Sequence, residues 1–88
     1  MNDNIEKAIQ KCIALQKTGR FHEAIQAYGM ILKTQPKNPV ANHNLAMLLI
    51  KGNRRQYTLD LLKTALEANP NEGQYWLSYI TVLIQFGR

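Results

Sequence analysis

Cys12, His22 and His43 are the side chains whose chemistry suits metal ligation or nucleophilic attack. A thiolate or a neutral imidazole binds zinc, and a thiol beside an imidazole base attacks carbonyls. Their spacing supports neither use. No two of them stand at the short interval of a zinc site, and the chain has no glycine-rich phosphate loop and no Ser/Asp constellation. No cofactor, no metal and no enzymatic activity are therefore expected. Lys51, Arg54 and Arg55, with Tyr57 nearby, form a second group suited to contacting phosphates. Their ordinary role is a solvated turn near a helix C-terminus, where positive charge meets the negative end of the dipole. Nucleic-acid binding is not expected.

Composition bounds the class. The chain has 88 residues, 45% of them hydrophobic, which suits one folded domain rather than a disordered segment. The formal charge of +5 comes from 11 basic against 6 acidic residues, and the basic residues are spread along the chain. That pattern favours solubility and weak attraction to acidic partners. A single cysteine excludes an internal disulfide. The sequence has neither a signal peptide nor an apolar run long enough to span a membrane, so a cytoplasmic location is expected.

The elements that position these residues repeat. Pro36 and Pro70 lie 34 residues apart, and the same interval aligns Leu15 with Leu49 and Leu83, Lys17 with Lys51, and Leu32 with Leu66. It also aligns Arg20, Arg54 and Arg88, each preceded by a residue suited to left-handed backbone: Gly19, Asn53 and Gly87. A fixed period of this size marks a stacked helical array. Apolar residues Ile5, Ala8, Ile9, Cys12 and Ile13 recur at helical spacing, with Asp3 or Asn4 as the expected N-cap. Gly19 breaks that helix, and a second carries Ala24, Ile25, Tyr28, Ile31 and Leu32 before Pro36. Asn38-Pro39 reads as a cap with proline at the first helical position. Helices over roughly 40–51 and 55–68 follow, and another begins near Glu72. The fold class is all-α, five antiparallel helices in hairpins: repeat 1 over 5–38, repeat 2 over 39–72, and the first helix of a third over 73–88. Each hairpin buries its apolar face only by stacking on the next, which requires small residues at close approaches. Cys12, Ala24, Ala46 and Ala65 meet that need, so Cys12 needs no chemical role.

These residues resemble the tetratricopeptide repeat family. Ala24, Tyr28 and Pro36 match its pattern in the first repeat, Leu45, Ala46 and Pro70 in the second, and Trp76, Tyr79 and Leu83 in the third. The resemblance implies a short right-handed superhelix that binds protein partners as a scaffold. The run from Asn69 to Arg88 is also similar to repeats that precede catalytic domains in bacterial glycosyltransferases and sulfotransferases, which implies a regulatory or substrate-recruiting segment as the alternative. Some positions depart from the pattern. Lys11 stands where Leu45 falls one repeat later, and Gly29 lies in mid-helix. Thr58 replaces a small alanine, and its hydroxyl is expected to bond back to the Arg54 carbonyl.

In this family the first helix of each hairpin lines a concave groove. Helical spacing then assigns to the groove Ile9, Gln10, Ile13 and Lys17 from repeat 1, and His43, Asn44, Met47, Ile50 and Lys51 from repeat 2. Leu77, Ser78 and Thr81 follow from the third helix of this kind, and Glu6, Val40, Gln74, Ile84 and Gln85 share the same face. Asn44 matches an asparagine that grips peptide backbone in some members, but Gln10 and Ser78 occupy its equivalents, so there is no asparagine ladder. Ile9, Ile13, Gln74 and Ser78 stand where the carboxylate-clamp members carry Lys, Asn, Lys and Arg, which argues against an acidic chaperone tail as ligand. An apolar stripe edged by amides and lysines suits an amphipathic or mixed peptide of a protein partner.

Trp76, Tyr79, Ile80 and Leu83 form a further apolar face, which a following helix would cover in a continuing array. Truncation from a longer protein, or a homodimer through this helix, is the expectation it raises.

Overall fold

The computed structural model describes residues 3–52 and 54–87. Five helices follow one another: α1 (Asp3–Lys17), α2 (Phe21–Thr34), α3 (Pro39–Leu49), α4 (Arg55–Ala68) and α5 (Gly73–Phe86). There is no strand among the described residues. Each helix packs against the next in the chain, so α1–α2 and α3–α4 are hairpins, and α5 packs on α4. The molecule measures 38 × 28 × 20 Å.

The turns show why the chain folds at these points. Gly19 takes φ +80°, and the amides of Gly19 and Arg20 donate to the carbonyls of Gln16 and Leu15. That is a Schellman ending, and its left-handed residue carries no Cβ penalty because it is glycine. At α3 the Asn38 side chain accepts from the Ala41 amide at 2.9 Å, and Pro39 occupies the first turn. The backbone repeats with the sequence period. Gln35 and Asn69 cap α2 and α4 by donating to Ile31 and Ala65, and Asn38 and Glu72 then close the following turns onto Gln35 and Asn69.

Cys12, Ala24, Ala46 and Ala65 are buried where helices meet, as their size requires. Tyr28, Leu45, Leu61, Leu62 and Val82 share the main core with Cys12 and Ala46, and Ala65 packs with Leu66 and Tyr75 in a smaller cluster.

Asp3 and Asn4 are inside α1 rather than capping it. α3 ends at Leu49, two residues short of the expected limit. Gly87 has φ −76° and its amide donates to Leu83, so it continues the helical geometry of α5 instead of reversing it. Asn53 and Arg88, also part of that comparison, lie outside the described residues. The Thr58 hydroxyl is buried with no hydrogen-bond partner, whereas its amide donates to the Arg54 carbonyl at 2.9 Å. The back-bond expected from the sequence is not made. The packed wall around Thr58, 0% exposed, governs its rotamer more strongly than one weak local bond.

Candidate functional site

Between α3 and α5 lies a depression of about 200 Å³. Met47 and Ile50 come from α3 and its end, and Gln74, Leu77, Ser78, Thr81 and Val82 from α5. Met47 and Leu77 are exposed, 38% and 59%, and Ile50 is half-buried. The floor is set by Val82 in the core, and Gln74 and Thr81 place polar atoms at the margin. Apolar walls with a few polar groups at the edge suit a peptide side chain.

The structure brings together five of the residues assigned to the groove: Met47, Ile50, Leu77, Ser78 and Thr81. The others sit elsewhere. Ile9 faces inward with Cys12 and belongs to the core, because the i, i+3 spacing of the two aligns them on the side that packs against α2 and α3. Ile13 is half-buried against that core, and Gln10 and Lys17 are exposed on α1. Gln10 lines a separate shallow depression with Asp3, Glu6 and Lys7. Lys51 lines a neighbouring depression with Phe21, Met47, Leu48 and Ile50.

Beneath the groove runs a directed chain of hydrogen bonds across four helices. The Gln74 amide donates to Ser78 Oγ at 3.2 Å, and Ser78 Oγ lies 2.8 Å from His43 Nε2. His43 Nδ1 is 3.4 Å from Asn44 Oδ1, and Asn44 Nδ2 donates to the Tyr28 hydroxyl at 3.0 Å. The Tyr28 hydroxyl in turn donates to Gln16 Oε1. Asn44 Oδ1 can only accept, which assigns the imidazole proton to Nδ1, and the Nε2 of a neutral imidazole then accepts from the Ser78 hydroxyl. Every member then donates to the next. His43 also packs on Tyr75, with ring centroids 4.9 Å apart. Burial pushes the imidazole below its usual value, against smaller upward effects of the Asn44 hydrogen bond and the Glu72 charge. His43 is thus a neutral structural link at pH 7. Asn44, assigned to peptide backbone by resemblance, has its amide nitrogen engaged by Tyr28.

A serine bonded to a histidine invites comparison with a nucleophile and its base, and sequence separation hid this pairing. The geometry does not complete such a site. Ser78 is buried in the middle of α5, where the surrounding backbone amides serve the helix and cannot stabilise an oxyanion. Cys12 is buried with its thiol pushed up by desolvation, which leaves it a poor nucleophile. Among the described residues no group of three or more His, Cys, Asp or Glu could hold a metal.

On the far side of α5, Ile80 and Leu83 are exposed, while Tyr79 is half-buried against the core. Trp76 is partly exposed, yet its indole N–H donates to the Pro70 carbonyl at 2.8 Å. One repeat earlier, Asn42 donates to the Pro36 carbonyl at 3.0 Å and also to Asn38 at 2.8 Å. Indole and amide therefore secure the same turn by the same bond. Residue-type matching overlooks this because the two side chains share only a donor. Arg55 of the basic cluster donates to the Phe86 carbonyl at 3.2 Å, with its guanidinium 5.5 Å from the Phe86 ring, so it holds the end of α5. No helix among the described residues is long and apolar enough to cross a membrane.

A family model described as tetratricopeptide repeat matches residues 15–78, well over half of the chain.

Proposed function

We propose that this chain, which belongs to the tetratricopeptide repeat family, binds a peptide segment of a partner protein in the depression between α3 and α5. Repeats of this family are generally protein-interaction modules. The observation that carries this proposal is the exposed apolar surface of Met47 and Leu77 over the buried Val82. A bulky aliphatic or aromatic side chain entering there would replace water on both walls, and Gln74 and Thr81 supply polar contacts to the adjoining peptide backbone. Because α3 and α5 are already held by the hydrogen-bonded chain through His43, binding orders few additional protein groups.

The test is affinity capture with wild type, Met47→Glu and Leu77→Glu, each checked by far-UV circular dichroism. Helicity should be retained while the captured partner is lost. Retention of the partner by both folded variants would overturn this reading. A second reading, self-association, is favoured by exposed Ile80 and Leu83 beside Trp76. Sedimentation over a concentration range decides it: an unchanging monomer mass removes it.

A further inference from the structure

The repeat places a charge pattern at one edge of the array. α1 ends and α2 begins there, as do α3 and α4, and α5 ends beside them. Two contacts show that these points adjoin: Phe21 and Lys51 line one depression, and Arg55 bonds to Phe86. Lys17, Arg20, Lys51, Arg54 and Arg55 lie at this edge, opposed only by Glu23 among the described residues. Five positive and one negative make +4, against a formal +5 for the chain.

Local structure uses some of these cations. Arg20 pairs with Glu23 at 2.5 Å, and Arg55 holds Phe86. Lys17 sits in the last turn of α1, where the helix dipole favours it. Lys51 and Arg54 have no ion pair among the described residues. Arg54 stands at the N-cap of α4 without making a side-chain cap, at the helix end where the dipole disfavours positive charge. Helix stability therefore does not account for it.

Lys51 borders a depression of about 250 Å³ walled by Phe21, Met47, Leu48 and Ile50, and Arg54 follows three residues on. Phe21 is 53% exposed, an aromatic ring left at the surface beside unpaired charge. We propose that this edge docks an acidic segment of a partner protein, one bulky apolar side chain seated against Phe21 and Ile50 and flanking carboxylates paired with Lys51 and Arg54. Charge complementarity selects the acidic segment. The aliphatic walls favour a peptide over a nucleic acid, because a nucleobase would bury its polar edge there without hydrogen-bond partners. This surface is distinct from the α3–α5 depression, although Met47 and Ile50 border both.

The experiment selects a phage-displayed random dodecamer library on the immobilised chain, then measures enriched synthetic peptides by fluorescence anisotropy. Enriched sequences should place Asp or Glu beside Leu, Ile, Met or Phe. Their affinity should fall about tenfold or more in the double variant Lys51→Glu/Arg54→Glu, and also on raising salt from about 50 to 300 mM. Phe21→Ser should weaken them as well, and Thr81→Arg, on the other depression, should not. Thermal melts establish that each variant is folded. If Phe21→Ser is not folded, the charge-reversal pair decides. Absence of acidic enrichment, or acidic peptides indifferent to the charge reversal, overturns the proposal. Peptides lost only with Thr81→Arg overturn it too, while leaving the α3–α5 reading intact. An oligothymidylate that binds tighter than every peptide and loses affinity in the charge-reversal variant would make the edge a nucleic-acid surface instead.

Discussion

Replacing Thr58 by valine should stabilise the protein, although it removes a polar group from a helix. Thr58 is 0% exposed and its hydroxyl has no partner, so folding strips that oxygen of water without compensation. Such a loss costs roughly 1–3 kcal/mol. Valine has nearly the same shape and a similar helix propensity, and its second methyl meets the same packed wall. Taking the lower end, the gain is about 1 kcal/mol, which for a chain of this size raises the melting temperature by roughly 5 °C. Differential scanning calorimetry or a circular dichroism melt reads this directly. Thr58→Ser is the companion variant: it keeps the hydroxyl, loses the methyl and should be less stable than wild type by about 1 kcal/mol. If valine lowers the melting temperature while serine leaves it unchanged, the hydroxyl is hydrogen-bonded and the reasoning fails.

Three more perturbations follow from the same contacts. At Gly29 an added Cβ would meet nothing within 4 Å, so Gly29→Ala should raise stability by about 1 kcal/mol, and a lower melting temperature would contradict it. Asn42 is buried and donates to two carbonyls of the turn between repeats, so Asn42→Ala should destabilise by about 1–3 kcal/mol in a urea titration; an unchanged midpoint would show that water replaces the amide. His43 has a folded pKa below its unfolded value of about 6.5, so between those two values the unfolded chain binds more protons. Its contribution is therefore complete above about pH 6.5 and declines as pH falls towards the folded pKa. Urea midpoints measured from neutral to mildly acidic pH should fall less steeply in His43→Gln than in wild type.

The hairpins were legible because their boundaries rest on local chemistry. Gly19, Asn38, Pro39 and the prolines at 36 and 70 act within a few residues of themselves, and their 34-residue interval reports the stacking directly. Contacts between repeats were not legible in the same way. His43 and Ser78 are 35 residues apart and meet only because α3 and α5 pack side by side. Helical spacing separates the faces of α1 but does not fix the line between them, and Ile9 lies on the core side of that line. Phe21 escaped because its counterpart one repeat later is Arg55, so the period gives no reason to single it out. The turn bond shared by Asn42 and Trp76 escaped for a similar reason, since the repeat preserves a donor there and not a residue type.

The central claim is that the wall formed by Met47 and Leu77 takes a partner's side chain. Leu77 borders the α3–α5 depression alone, whereas Met30 is comparably exposed but lines neither depression. The decisive measurement is the amount of partner captured by Leu77→Glu relative to Met30→Glu at equal helicity. Binding should be lost in Leu77→Glu and kept in Met30→Glu. Equal capture by the two would contradict the account.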